Sequence, residues 1–155
     1  MFAGSEITEI AIQIEINGRD FYNVLLGKAR NGNAKDIFSY LAGEEEKHIG
    51  TFREILKSFH KYEPKEAYPD EYFSYMRSLA SDCIFTQKDK GRAIAEKVTS
   101  EKEAAELGIE FERDSVSFYR GMKKITSPED TKFVDMIIEQ EKDHVRQLIE
   151  LRKTL

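Results

Sequence analysis

Two of the three histidines in this chain stand three positions after a glutamate, in "EEEKH" (44 to 48) and "QEKDH" (140 to 144). Residues three apart on a helix share a face, so Glu45 with His48, and Glu141 with His144, can each offer an oxygen and a nitrogen to one metal ion. Upstream of each pair lies a second match. "IAIQIEINGRDFY" (10 to 22) aligns with "LGIEFERDSVSFY" (107 to 119), setting Glu15 against Glu112, Phe21 against Phe118 and Tyr22 against Tyr119. The chain is therefore an internal repeat in which each half contributes one glutamate and, later, one Glu-x-x-His.

Helices must carry these residues. From Ser5 to Arg30 apolar side chains recur at three-and-four spacing, with Ser5 as the expected N-cap. "RNGN" (30 to 33) supplies turn chemistry, and Asn33 is expected to cap a second helix reaching about Phe59. "SEKE" (100 to 103) is a capping box opening a third helix to about Lys124. "SPED" (127 to 130) opens a fourth, ending near Arg152, with a serine cap and proline at the first helical position. Short turns within each pair make two antiparallel hairpins. The forty or so residues between them, about 60 to 99, exceed any simple loop. "PDEYFSYMRSLA" (69 to 80) and "DKGRAIAEKV" (89 to 98) predict two shorter helices in a connection that crosses the bundle. Its Tyr68, Tyr72, Phe73, Tyr75 and Phe85 either cover a hairpin or form a subunit contact. The expected fold is all-α: one domain over 1–155, a four-helix bundle of two hairpins joined by a long, partly helical crossover.

Flanking apolar residues decide which acids face inward. Leu41 and Phe52 lie one turn either side of the Glu45–His48 pair, and Ile137 and Leu148 do the same for Glu141 and His144. Glu45 therefore points into the bundle, whereas Glu46 and Lys47 point out. Glu44 is a weaker rival, because its counterpart in the second half is Gln140. Glu15, Glu45, Glu112 and Glu141 all fall mid-helix and should converge at one level of the core. Four unpartnered buried carboxylates would each cost several kcal/mol or hold a proton, and two divalent cations balance them. Oxygen-rich ligation with one imidazole per metal suits iron, with manganese the alternative and zinc able to occupy the site in isolated protein. The competing arrangement is a salt-bridged bundle whose acids face solvent.

Composition excludes other classes. The 155 residues carry a formal net charge of -5, with 40% hydrophobic and 34% charged residues. That balance lacks the basic surface a nucleic acid or anionic membrane needs. There is no 18-residue apolar run and no signal-like start, so a cytoplasmic location is expected. A lone Cys83 forms no internal disulfide and reads as a small buried apolar residue. His60 reads as a surface residue at a helix end.

These residues resemble the rubrerythrin-like branch of the ferritin-like di-iron carboxylate superfamily, through the paired E-x-x-H motifs and two single glutamates spread over four long helices. The resemblance implies a ferritin-like bundle with Glu45 and Glu141 bridging two iron ions, Glu15 and Glu112 as terminal carboxylates, and His48 and His144 as one nitrogen ligand each. It makes Tyr22 and Tyr119 candidates to hydrogen-bond ligand carboxylates, with ordinary core packing the other reading. No catalytic residue beyond these ligands is expected. The implied activity is reduction of hydrogen peroxide or dioxygen, as in oxidative-stress defence, with electrons from an external donor such as a rubredoxin-like protein. The alternative is a ferroxidase or iron-binding role without a storage cage. A homodimer is expected from the family and the aromatic crossover. Two departures matter: Ile109 stands where rubrerythrins carry an additional glutamate, and the chain reaches Leu155 without a four-cysteine rubredoxin segment.

Overall fold

The computed structural model describes residues 3–59 and 70–155. Among them are six α-helices: α1 (Ala3–Lys28), α2 (Gly32–Ser58), α3 (Asp70–Asp82), α4 (Lys90–Lys97), α5 (Glu101–Met122) and α6 (Pro128–Lys153). Short 3-10 turns occupy Ile84–Thr86 and Lys123–Ile125, and no strand is present among the described residues. The expected all-α ferritin-like bundle is what forms. Tyr68, His60 and Pro69 lie outside the described residues, so the expectations placed on them go no further.

The bundle has two hairpins, α1 with α2 and α5 with α6, and they meet through α2 against α6 and α1 against α5. At 1.5 Å per residue, the 26 residues of α1 span about 39 Å. Each long helix buries one stripe. On α2 it comprises Ala34, Phe38, Leu41, Ala42, Glu45, His48, Ile49, Phe52 and Ile55, so the acid and the imidazole sit in line with the apolar residues. Phe21, Phe52, Phe111 and Phe118 are buried at the centre, each contributing roughly 1.5–3 kcal/mol by leaving water.

Local signals set most helix ends. Ser127 Oγ accepts from the Asp130 amide at 3.1 Å, with Pro128 in the first turn. Ser100 Oγ accepts from the Glu103 amide at 3.1 Å, while Glu103 Oε2 reaches back to the Thr99 hydroxyl at 2.8 Å instead of the Ser100 amide. Two expectations are corrected. α1 begins before Ser5, which is buried inside the first turn and caps nothing. The cap of α2 is Asn31, not Asn33, and its side chain accepts from the Ala34 amide at 3.1 Å. The reason is a contact distant in sequence: Glu101 Oε1 on α5 accepts from the amides of Arg30 and Asn31, at 2.6 and 2.9 Å, and holds the turn two residues earlier.

The crossover lies along α1 and α5. Asn17, fully buried on α1, donates through Nδ2 to the carbonyls of Phe85 (2.8 Å) and Gln87 (2.6 Å) and accepts from the Gly91 amide (3.1 Å). Gly91 can be nothing larger in this pose, since a Cβ there would stand 2.0 Å from the Asn17 carbonyl oxygen. Phe85 packs between Phe21 and Phe111, with ring centroids 5.2 and 4.5 Å away. Tyr72 donates to the Gly121 carbonyl, whereas Tyr75 is exposed. The crossover aromatics thus divide between covering the bundle and facing outward. No helix among the described residues is long and apolar enough to cross a membrane.

Candidate metal centre

The four long helices bring Glu15, Glu45, His48, Glu112, Glu141 and His144 to one level of the core, where none is more than 2% exposed. Their ligand atoms form two groups. Glu15, Glu45, His48 and Glu141 make one, Glu45, Glu112, Glu141 and His144 the other, and within each group the atoms lie within 4.8 Å of one another. Metal bonds of about 2.1 Å place opposed ligand atoms about 4.2 Å apart, so each group has the dimensions of a coordination shell. Glu45 and Glu141 belong to both groups. Glu46 and Lys47 point to solvent, and Glu44 turns aside to accept from the Tyr40 hydroxyl at 2.9 Å.

Orphaned atoms test whether cations fit. Among the described residues, the buried side-chain oxygens and nitrogens without a hydrogen-bond partner are Glu15 Oε2, both oxygens of Glu45 and Glu141, His48 Nδ1, Glu112 Oε2 and both nitrogens of His144. Every one belongs to the six residues above. Leaving such groups unsatisfied costs roughly 1–3 kcal/mol each, a penalty that coordination removes. His48 Nδ1 approaches Glu141 Oε1 to 2.7 Å and Glu15 Oε2 to 3.4 Å, yet makes no directed hydrogen bond to either. His144 Nδ1 stands 3.5 Å from Glu45 and 3.6 Å from Glu112. Both rings turn Nδ1 toward the carboxylates, and they lie nearly parallel with centroids 5.9 Å apart.

Electrostatics describe the same congestion. Burial, then the neighbouring Glu141, Glu15 and Glu112, push the Glu45 carboxyl well above its usual range. Burial, then Glu112 and Glu15, do the same to Glu141. For Glu15, burial is outweighed by the His48 charge, by the adjacent Glu45 carboxyl and by the Tyr119 hydrogen bond, so its pKa falls. Burial also opposes the charged form of His48, but Glu15 and Glu141 prevail and raise it to about 12. Without cations, some of these acids must hold protons and one imidazole must hold charge.

Tyr22 and Tyr119 are both fully buried, and each reaches across to the other half of the repeat. Tyr22 donates to Glu112 Oε1 at 2.6 Å, and Tyr119 donates to Glu15 Oε1 at 2.5 Å. In both glutamates the second oxygen, Oε2, is the orphan facing the cluster. Burial and then the bonded carboxylate keep each phenol protonated by raising its pKa well above the usual value. Each tyrosine follows the glutamate of its own helix by seven residues, yet packing pairs it with the glutamate of the other half. Gly18 supports this arrangement, since a Cβ there would meet Phe111 Cζ at 2.5 Å and Glu45 Oε2 at 3.1 Å.

Sequence reasoning missed one contact. Gln140, read only as evidence against Glu44, has its Oε1 2.7 Å from His48 Nε2. Its position beside Glu141, on the helix facing His48, was the available signal. Ile109 is a buried apolar residue. Cys83 is buried too, and burial, then the Asp114 and Asp82 charges, push its thiol up to about 12.

Comparison with known proteins agrees with this geometry. The rubrerythrin family model matches residues 6–152. A solved structure from Thermotoga maritima, described as a ferritin-like diiron-carboxylate protein, superposes with a TM-score of 0.71 at 26% identity, covering 97% of this chain and 94% of that one. No protein of curated function matches the chain.

Proposed function

The chain belongs to the rubrerythrin family, and from that premise we propose that it is a di-iron oxidoreductase that reduces hydrogen peroxide or dioxygen with electrons from an external donor. The observation that carries this reading is the pair of carboxylates, Glu45 and Glu141, shared between two buried ligand groups that each contain one histidine. Glu15 and His48 complete one position, and Glu112 and His144 the other. Two ferrous ions held there would supply one electron each, the pair that reduction of peroxide to water consumes together with two protons.

The protein's own part is placement and insulation. Tyr119 and Tyr22 each hold one oxygen of a terminal carboxylate and so aim the other at a metal position, a role that second-sphere donors play in fixing ligand geometry. Glu45 and Glu141 lie within reach of both positions, so their negative charge would balance a cation at either. Burial of all six ligands keeps bulk water out of the centre. A surface pocket of about 520 Å3, lined by Tyr40, Met136, Glu139, Gln140, Asp143 and His144, lies beside His144 and gives a small oxidant an approach. Re-reduction falls to a separate donor such as a rubredoxin-like protein, and a homodimer is the assembly expected of the family.

Stopped-flow mixing of the di-ferrous protein with peroxide and, separately, with oxygen tests the proposal. Oxidation of both ions by one equivalent of peroxide, faster than by oxygen, is the expected result. Iron uptake well beyond two ions per chain would replace it with an iron-handling role.

A further inference from the structure

The two halves of the repeat treat the outward nitrogens of their histidines differently. Glu45 with Glu141, and His48 with His144, stand at equal spacing in the chain, and at that same spacing Glu44 corresponds to Gln140 and Tyr40 to Met136. Gln140 on α6 sits at hydrogen-bond distance from His48 Nε2, 2.7 Å. Its counterpart Glu44 gives His144 no such partner: it accepts from Tyr40 at 2.9 Å and pairs with Lys47 at 3.1 Å. His144 Nε2 is left buried and unpartnered, with the Tyr40 ring edge-on at 6.0 Å and the 520 Å3 pocket beside it.

An imidazole that binds a cation through Nδ1 must carry its proton on Nε2, and an acceptor at Nε2 fixes that tautomer, orients the ring and raises its basicity. Gln140 Oε1 is such an acceptor for His48. His144 has none and must find one, from solvent in the pocket or by a movement of Glu44, before it can serve equally well. Resting on the reading that these six residues hold two metal ions, we propose that Gln140 is a positioning residue that makes the His48 side the tighter of two unequal metal positions. The His144 side fills second and exchanges first.

Anaerobic titration of the purified chain with cobalt(II), followed by its visible bands and by equilibrium dialysis, tests this. Two steps of one ion each are expected, about 10-fold or more apart in affinity. Gln140→Ala should weaken the first step by about 10–100-fold, so that the steps merge, and leave the second unchanged. Gln140→Glu, which keeps an acceptor, should restore the first step, a rescue that a merely structural role would not produce. Binding of two ions in a single step by the wild-type chain, an unchanged first step in Gln140→Ala, or equal weakening of both steps in both variants overturns the inference and leaves the di-metal reading intact. Failure of the wild-type chain to bind cobalt at all removes both.

Discussion

Replacing Tyr119 with phenylalanine separates a structural aromatic from one that serves the centre. The substitution deletes a single oxygen. The ring keeps its packing against Phe52, 4.9 Å away between centroids, and against Phe118, so the transfer and cavity terms stay small. What is lost is the 2.5 Å donation to Glu15 Oε1, made between two groups with no solvent exposure. Hydrogen bonds to charged partners contribute about 1.5–3 kcal/mol, and Glu15 is left with a buried oxygen that water does not reach. For a chain of 155 residues, a loss of about 2 kcal/mol lowers Tm by roughly 4–8 °C. Thermal unfolding of the metal-free protein by circular dichroism reads this directly. Tyr75→Phe, at a 57% exposed position, is the control and should leave Tm unchanged. In a double-mutant cycle with Glu15→Gln, the coupling between the two sites should reach about 1 kcal/mol or more. A Tm drop of less than about 1 °C, or effects of the two substitutions that simply add, would refute the reasoning and return Tyr119 to the role of core filler.

Other outcomes follow from the same geometry. Because Glu45 is shared while Glu112 belongs to one ligand group, Glu45→Ala should lose both ions and Glu112→Ala only one, as counted by elemental analysis of metal-loaded protein. In chelator, thermal stability should fall as pH rises above about 6.5. His48 is raised from 6.5 to about 12, so its contribution is complete below 6.5 and is lost toward 12. Glu45 and Glu141, raised above their usual range, contribute in the same direction from about 4.5 upward, while the lowered Glu15 gives stability that is lost only as pH falls below about 4.5. Metal loading should remove this fall, since cations replace the protons. Gly91→Ala should destabilise by about 1–3 kcal/mol in urea unfolding, because its Cβ meets backbone that cannot move aside. Gly43→Ala, exposed within α2 with nothing near its Cβ, should instead gain up to about 1 kcal/mol.

Much of this architecture was legible because helices have a fixed period. Leu41, Glu45, His48 and Phe52 share one stripe by spacing alone, and a polar pair placed between apolar turns has only the core to face. The repeat then supplied the second copy, so the six buried residues that could hold metal follow from the sequence pattern. Serine caps such as Ser100 and Ser127 are equally local, depending on a hydroxyl and an amide three residues on. Asn33 failed as a cap because the turn is held by Glu101, seventy residues away, and no window of sequence contains that contact.

What the amino-acid sequence by itself determined was which side chains point inward and at what height, since both follow from residue type and helical period. Only tertiary packing decided who meets whom across the core. Tyr22 reaches Glu112 and Tyr119 reaches Glu15, while Gln140 reaches His48 and Glu44 is drawn away from His144. Those pairings depend on how two hairpins are set against each other, a relation between segments a hundred residues apart. Periodicity along one helix carries no information about it, so a near-symmetric chain can fold into a centre whose two halves differ.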